Sequence, residues 1–302
     1  MPQRIESLRT LIDRLAAQQR LTPARLNPLR WIRWTDFDQD IESLWQILPA
    51  EISGVIGCPR SGFYAAAKLA IMAGVPLWTA SKTGPPTPLG HGLRLEQAQT
   101  RQSCGPLLLV EDSTNTALSI TSYLEHCPAG TLTAVVYANP DAPWQPDFCG
   151  VPLPLPHFFE WHFFGSRNME RTSTDLDGVL CDDCPPDLDD DGAGYLHWMR
   201  AVRPRLLPRT YAVGAIVTAR LEQYREPTVE WLTRHGVKYS RLIMGSWKTQ
   251  SDRKDIARWK AQVYSGQPGH DVFIESSARQ AAKIHDRTRR PVICNQTGEI
   301  WL

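Results

Sequence analysis

The sequence predicts an α/β protein made of two doubly wound parallel-sheet domains, residues 1–166 and 167–302. Three observations carry that expectation. Short unbroken apolar runs, the signature of strands buried on both faces, alternate with helical patterns along most of the chain. A proline-rich stretch near the middle interrupts the alternation, and the same alternation restarts behind it. A length of 302 residues suits about two ordinary domains, and 42% hydrophobic residues are enough for two cores.

The opening, "MPQRIESLRTLIDRLAAQQRL", has the apolar spacing of an amphipathic helix, and a Trp/Arg-rich segment follows it. "ISGVIG" is then a buried strand, "CPRSG" a loop and "FYAAAKLAIMAG" a helix. "VPLWTAS" is a short strand, and the Gly/Pro-rich "KTGPPTPLGHG" reads as a mobile loop. "GPLLLVED" is a second buried strand that "STNTALSITSYLEHC" turns into a helix, and "TLTAVVYAN" is a third. The stretch "PDAPWQPDFCGVPLPLPHFFEWHFF" closes the unit. In the second half "ERTSTDLDG" is a strand with acids at its end and "GYLHWMRAV" a helix. "YAVGAIVTA", "YSRLIMG", "DVFIE" and "RPVICN" are strands, with helices between them. In such sheets ligands bind beyond the carboxyl ends of the strands.

Composition narrows the function. Lys+Arg total 33 against 32 Asp+Glu, so the formal charge is +1 and gives no long-range attraction to nucleic acid or an anionic membrane. No apolar run approaches the roughly 18 residues that would span a bilayer, and the charged start lacks the apolar centre of a signal peptide. Seven cysteines without framework spacing suit reduced thiols in a cytoplasmic protein. Small-molecule substrates are the expectation, without nucleic-acid or membrane partners, and a homodimer is compatible with it.

Two constellations carry chemistry. In "LLLVEDSTNTALS" an apolar strand ends in Glu111 and Asp112, and small polar residues lead into a helix. Backbone N–H groups there, with the Thr116 and Ser119 hydroxyls, can cradle a phosphate, and two acids beside it suit vicinal ribose hydroxyls. This stretch resembles the type I phosphoribosyltransferase family, whose signature is a strand, two acids and a Thr/Ser-Thr-Gly-x-Thr/Ser loop. The resemblance implies that Glu111, Asp112, Asn115, Thr116, Ala117, Leu118 and Ser119 bind phosphoribosyl pyrophosphate, with Asn115 in a Thr/Ser position and Ala117 in a Gly position. It further implies that Arg60, Ser61 and Gly62 form the pyrophosphate loop, that Lys82 adds a cation, and that residues 82–92 close over the site. Phe159 and Trp161 would stack on a nucleobase.

The second constellation is Asp175-Leu176-Asp177-Gly178 at a strand end, where one carboxylate can attack phosphorus while the other moves a proton. It resembles the first motif of the haloacid-dehalogenase superfamily. That resemblance implies a phosphatase domain, and the short stretch between this motif and Thr218 leaves no room for a large cap. Asp175 would be the nucleophile, Asp177 the acid/base and Thr218 the holder of a phosphoryl oxygen, with Arg220 as a further contact. Lys260, or after it Lys254, would be the neutralising lysine, and Mg²⁺ would rest on Asp175, the Asp177 carbonyl and Glu275.

The acidic turn "DLDDDG" has Trp198 where a calcium loop needs a bidentate glutamate, so it reads as a solvated turn. Cys181 and Cys184 lack a second pair at zinc spacing. Together the resemblances imply a bifunctional enzyme that joins phosphoribose to a nucleobase-like acceptor and then hydrolyses the resulting nucleoside monophosphate through an aspartyl-phosphate. The alternative is a phosphatase regulated by a non-catalytic, nucleotide-sensing first half.

Overall fold

The computed structural model describes residues 30–89, 105–189 and 191–302. The opening helix expected before residue 22 and the end of the expected loop, residues 90–92, lie outside the described residues. A short strand, β1 (Arg30–Ile32), begins the described chain. Contacts divide the chain into a unit Trp34–Leu155 and a second unit in which Pro156–Leu302 joins residues 30–33. This division falls ahead of the expected boundary at 166/167.

The Trp34–Leu155 unit holds one six-stranded sheet. Its strands are β2 (Gly54–Gly57), β3 (Leu77–Thr79), β4 (Thr87–Pro88), β5 (Leu107–Thr114), β6 (Leu132–Ala138) and β7 (Phe148–Pro152). They lie in the order β4-β3-β2-β5-β6-β7, all neighbours parallel except the β3–β4 pair. Three elements depart from the sequence expectations. Helix Trp34–Trp45 forms in the Trp/Arg-rich segment, burying Phe37, Ile41 and Leu44 at helical spacing. Part of the expected mobile loop is the edge strand β4, where Pro88 is tolerated because an edge strand does not need every N–H. The proline-rich closing stretch supplies β7.

Helix Ser61–Ala73 packs on β2 and β5 through Ala65, Ala66, Leu69 and Ala70. Small side chains on this face let the helix sit close to the sheet, and Gly74 ends it at φ 64°, a conformation that favours glycine.

In the second unit β1 pairs parallel with β8 (His157–Phe159). The main sheet comprises β9 (Thr172–Thr174), β10 (Ala215–Leu221), β11 (Leu242–Gly245), β12 (Val272–Glu275), β13 (Val292–Cys294) and β14 (Ile300–Trp301). Its order is β11-β10-β9-β12-β13-β14, parallel except for β14 against β13. Alternate side chains fill two cores: Ile216 and Ile274 face one with Met199, Trp231 and Leu232, while Val217 and Phe273 face the other with Tyr264 and Ile284. Covering both faces explains why these strands read as unbroken apolar runs. The chain is thus a mixed α/β protein with two six-stranded, mostly parallel sheets. No described helix is long and apolar enough to cross a membrane.

Candidate functional site

Each sheet has one place where its winding reverses, and acids stand there in both. In the first sheet the chain steps from β2 outward to β3 on one side and from β5 outward to β6 on the other. The carboxyl ends of β2 and β5 therefore border the crevice where open α/β sheets bind ligands. β2 leads into Cys58–Gly62, and β5 carries Glu111 and Asp112, both buried. Gly62 joins the two loops: a Cβ there would lie 2.6 Å from Glu111 Oε1 and 2.8 Å from Glu111 Cα, so only glycine lets the helix start pass the acid.

Glu111 accepts the Ser119 hydroxyl at 3.2 Å and the Asp112 N–H at 3.2 Å, while Asp112 Oδ2 is buried without a hydrogen-bond partner. Burial above all, and then the charge of Asp112, push the Glu111 carboxyl up to about 8. Ala117 holds φ 64° before helix Leu118–Leu124, the backbone conformation that a glycine would adopt freely. Its N–H donates to Thr114 Oγ1 at 3.0 Å, and its methyl group belongs to the core beside Ile56, Cys58 and Ile120. The substitution therefore costs backbone strain without filling the loop with a side chain. Asn115, Thr116, Leu118 and Ser119 are exposed around it. Arg60 and Lys82 are also exposed, and the Lys82 ammonium stands 4.9 Å from the centre of the Tyr123 ring, on the helix behind the loop.

In the second sheet the reversal lies between β9 and β12. Asp175 follows β9 and Glu275 ends β12; both are buried, and the fully buried Lys260 bridges them. Its ammonium donates to Asp175 Oδ2 at 2.5 Å and to Glu275 Oε2 at 2.7 Å. Burial pushes the Asp175 carboxyl well above the usual carboxylate range; Lys260 opposes this, while Glu275 and Asp177 add to it. Burial alone would pull the lysine down, but the two carboxylates more than reverse it. Backbone N–H groups of Ser276 and Ser277 donate to Glu275 Oε1 at 3.0 and 3.2 Å, and that of Leu176 to Asp175 Oδ1 at 2.8 Å. Gly178 makes the turn after Asp177 at φ 74°, where a Cβ would strike Ser276 at 2.5 Å.

Asp177 faces a different cation. Buried Arg220 donates from Nη2 to Asp177 Oδ1 at 2.6 Å and from Nε to Oδ2 at 3.1 Å, and its guanidinium lies 5.3 Å from the Trp198 ring. Arg220, expected as a further phosphoryl contact, has its Nε and Nη2 on this acid and its Nη1 on the Thr228 hydroxyl at 3.4 Å. Thr218 is fully buried, its hydroxyl oxygen accepts the Arg220 N–H at 3.2 Å, and Ala219, not Thr218, lines the cleft. Of the two lysines, Lys260 meets the acids and Lys254 is exposed.

Asp175, Asp177 and Lys260 open into a cleft of about 240 Å³ that Asp183, Tyr195 and Arg253 also line. Sequence reasoning missed these last three, which come from turns and a helix with no local motif. Phe159 and Trp161 stack on each other at 4.8 Å, but they belong to the second unit and not to the unit with the 111–119 loop.

The oxygen donors at the second site are of the kind Mg²⁺ takes: the Asp175 carboxylate, the Asp177 carbonyl and Glu275. The Asp177 carbonyl accepts only a long contact, 3.4 Å, from the Ser276 hydroxyl. Glu275 is more heavily engaged, by Lys260 and two N–H groups. Among the described residues no group of three or more acidic, histidine or cysteine side chains is gathered as a metal site.

No protein-family model matches the chain, and no curated protein matches it. Solved structures do. A purine phosphoribosyltransferase from Pyrococcus horikoshii Ot3 is 17% identical over 45% of this chain and 94% of its own, with a TM-score of 0.32. The Helicobacter pylori xanthine-guanine-hypoxanthine phosphoribosyltransferase is 13% identical over 44% and 91%, with a TM-score of 0.31. A chain of the Pnkp1/Rnl/Hen1 RNA repair complex is 11% identical over 90% and 98%, with a TM-score of 0.33. At this identity and overlap none of them says what the present chain does.

Proposed function

We propose that the chain transfers phosphoribose to a nucleobase-like acceptor in its first unit and removes the 5′-phosphate of the product in its second. The observation that carries the reading is the Lys260 ammonium held between Asp175 and Glu275 at the winding reversal of the second sheet, with Asp177 at the same cleft. A buried lysine there offsets the charge of a carboxylate nucleophile and of an incoming phosphoryl group.

In the first step Glu111 and Asp112 hold the ribose hydroxyls, and the unsatisfied Asp112 Oδ2 is an acceptor waiting for one. Residues 115–119 hold the 5′-phosphate, while Arg60, Ser61, Gly62 and Lys82 hold pyrophosphate. A ring nitrogen bonds to the ribose C1′ as the bond to pyrophosphate breaks, and catalysis comes mainly from positioning. In the second step an Asp175 oxygen attacks phosphorus, the ester P–O bond breaks, and the leaving oxygen takes its proton from Asp177. Water, deprotonated by Asp177, then attacks the same phosphorus and frees Asp175 and inorganic phosphate. The Asp175 carboxylate, the Asp177 carbonyl and Glu275 would hold Mg²⁺, which would supply charge neutralisation for the phosphoryl group. Arg220, bonded to both Asp177 oxygens, holds this carboxylate at the cleft and has to release one of them when Asp177 carries the proton.

A second reading, a phosphatase regulated by a non-catalytic phosphoribosyl pyrophosphate or nucleotide sensor, draws on Ala117, whose positive φ is strained for a residue with a side chain. One experiment separates the two. Asp175→Asn protein is incubated with phosphoribosyl pyrophosphate, Mg²⁺ and a mixture of bases, and products are read by mass spectrometry. The coupled reading expects a nucleotide to accumulate in the variant and its nucleoside to appear with the unsubstituted protein. Identical product profiles would sink it, and a phosphatase rate altered by ligand without pyrophosphate release would favour the sensor.

A further inference from the structure

Arg253 lines the cleft of Asp175 and Lys260 with only 13% of its side chain exposed. It is poorly occupied. Its Nη2 is shared between both Asp189 oxygens at 3.3 and 3.4 Å, and its Nε reaches the Gln250 carbonyl at 3.5 Å. Arg171 shows what a satisfied fork looks like in this chain: Nε and Nη2 each meet one Asp271 oxygen, at 2.6 and 2.7 Å. A guanidinium already withdrawn from water, with its planar fork unspent, is built for a planar carboxylate or a phosphate.

We infer that Arg253 selects substrates carrying a second anionic group beside the phosphate that is removed, and that Asp189 occupies the guanidinium until such a group displaces it. The inference rests on the phosphatase reading of the second unit and names its substrate class. Exchange is cheap because one carboxylate replaces another and Asp189, 29% exposed, returns to water. The acidic turn need not move with it: Asp191 anchors that turn separately, its Oδ2 accepting the Gln250 N–H at 2.9 Å and its carbonyl the Tyr224 hydroxyl at 2.7 Å. Tyr195 lines the same cleft, its ring stacked on Trp198, so the group joining the two anions has an aromatic surface to lie against. Besides Arg253 the only other cation lining the cleft among the described residues is Lys260, already bonded to Asp175 and Glu275, while Asp183 and Asp189 repel a second anion.

The test measures affinities by calorimetry on Asp175→Asn protein, which leaves ligands intact, with Mg²⁺ present. Two matched pairs separate the anion sources: orotidine against uridine 5′-monophosphate for a carboxylate, and adenosine 3′,5′-bisphosphate against adenosine 5′-monophosphate for a phosphate. The doubly anionic member of at least one pair should bind about tenfold or more tightly. Arg253→Gln should bring that ratio near one, with the loss falling on the doubly anionic ligand, and Asp189→Asn should widen it. Equal affinities within both pairs, a ratio that survives Arg253→Gln, or no binding of any of the four overturns the inference. Failure of the phosphatase reading looks different: no Asp175-dependent phosphate release from any of the four, whatever the affinity ratio.

Discussion

At the first winding reversal Glu111 and Asp112 are buried side by side, and among the described residues neither makes an ion pair. At the second, Asp175 and Glu275 share the Lys260 ammonium, and Asp177 holds Arg220. Both sheets thus bring acids to the crevice, but the first leaves their charge uncompensated and the second carries its own cations. An uncompensated buried acid awaits an external partner, such as a hydroxyl or a cation. A compensated one is poised to meet an anion. Sugar hydroxyls suit the first site and a phosphoryl group the second, which is the division of labour proposed above.

The largest effect should come from removing the built-in cation. Lys260→Met leaves two buried carboxylates without a partner and is expected to cost about 3–5 kcal/mol in urea unfolding. A loss below about 1 kcal/mol would mean that the second site does not depend on its own lysine.

The first site should respond to pH in the manner of an uncompensated acid. The folded Glu111 carboxyl titrates near 8, against about 4.3 for an ordinary glutamate, so within that window the folded protein binds more protons than the unfolded chain. Raising the pH from 5 through 8 should therefore lower stability, by on the order of a few kcal/mol. Thermal melts of Glu111→Gln should show a flatter pH profile and a relative gain at pH 8. An unchanged slope would show that Glu111 does not carry the charge imbalance.

The smallest effect is local. Ala117→Gly relieves the left-handed backbone at φ 64° but adds unfolded-state entropy and removes a buried methyl, so its stability change should stay within about 1 kcal/mol. Its sharper readout is phosphoribosyl pyrophosphate affinity, which should rise if strain at this loop limits binding. An unchanged affinity would remove strain as the reason for the alanine.

Much of this was legible in the residues themselves. Unbroken apolar runs such as "GPLLLVED" and "DVFIE" located central strands, because strands covered on both faces have no polar side to show. Helix Trp34–Trp45 was missed although Phe37, Ile41 and Leu44 keep helical spacing, because tryptophans and acids on the other positions masked the period. β7 was missed because proline and glycine in "FCGVP" argue against a strand, a rule that weakens at a sheet edge.

The sequence by itself determined that acids stand at or next to strand ends, since a strand's length and its following turn are local properties: Asp175 and Glu275 do so, whereas β5 runs on past Glu111 and Asp112 to Thr114. It also narrowed the lysine that meets these acids to a short stretch. Only the tertiary structure decided that Lys260 and not Lys254 reaches Asp175, 85 residues away, that Arg220 is spent on Asp177, and that Arg253 faces the cleft. The physical reason is that strand order, not chain order, sets which ends become neighbours. The sheet β11-β10-β9-β12-β13-β14 brings β9 beside β12, and no local pattern in either strand specifies that pairing.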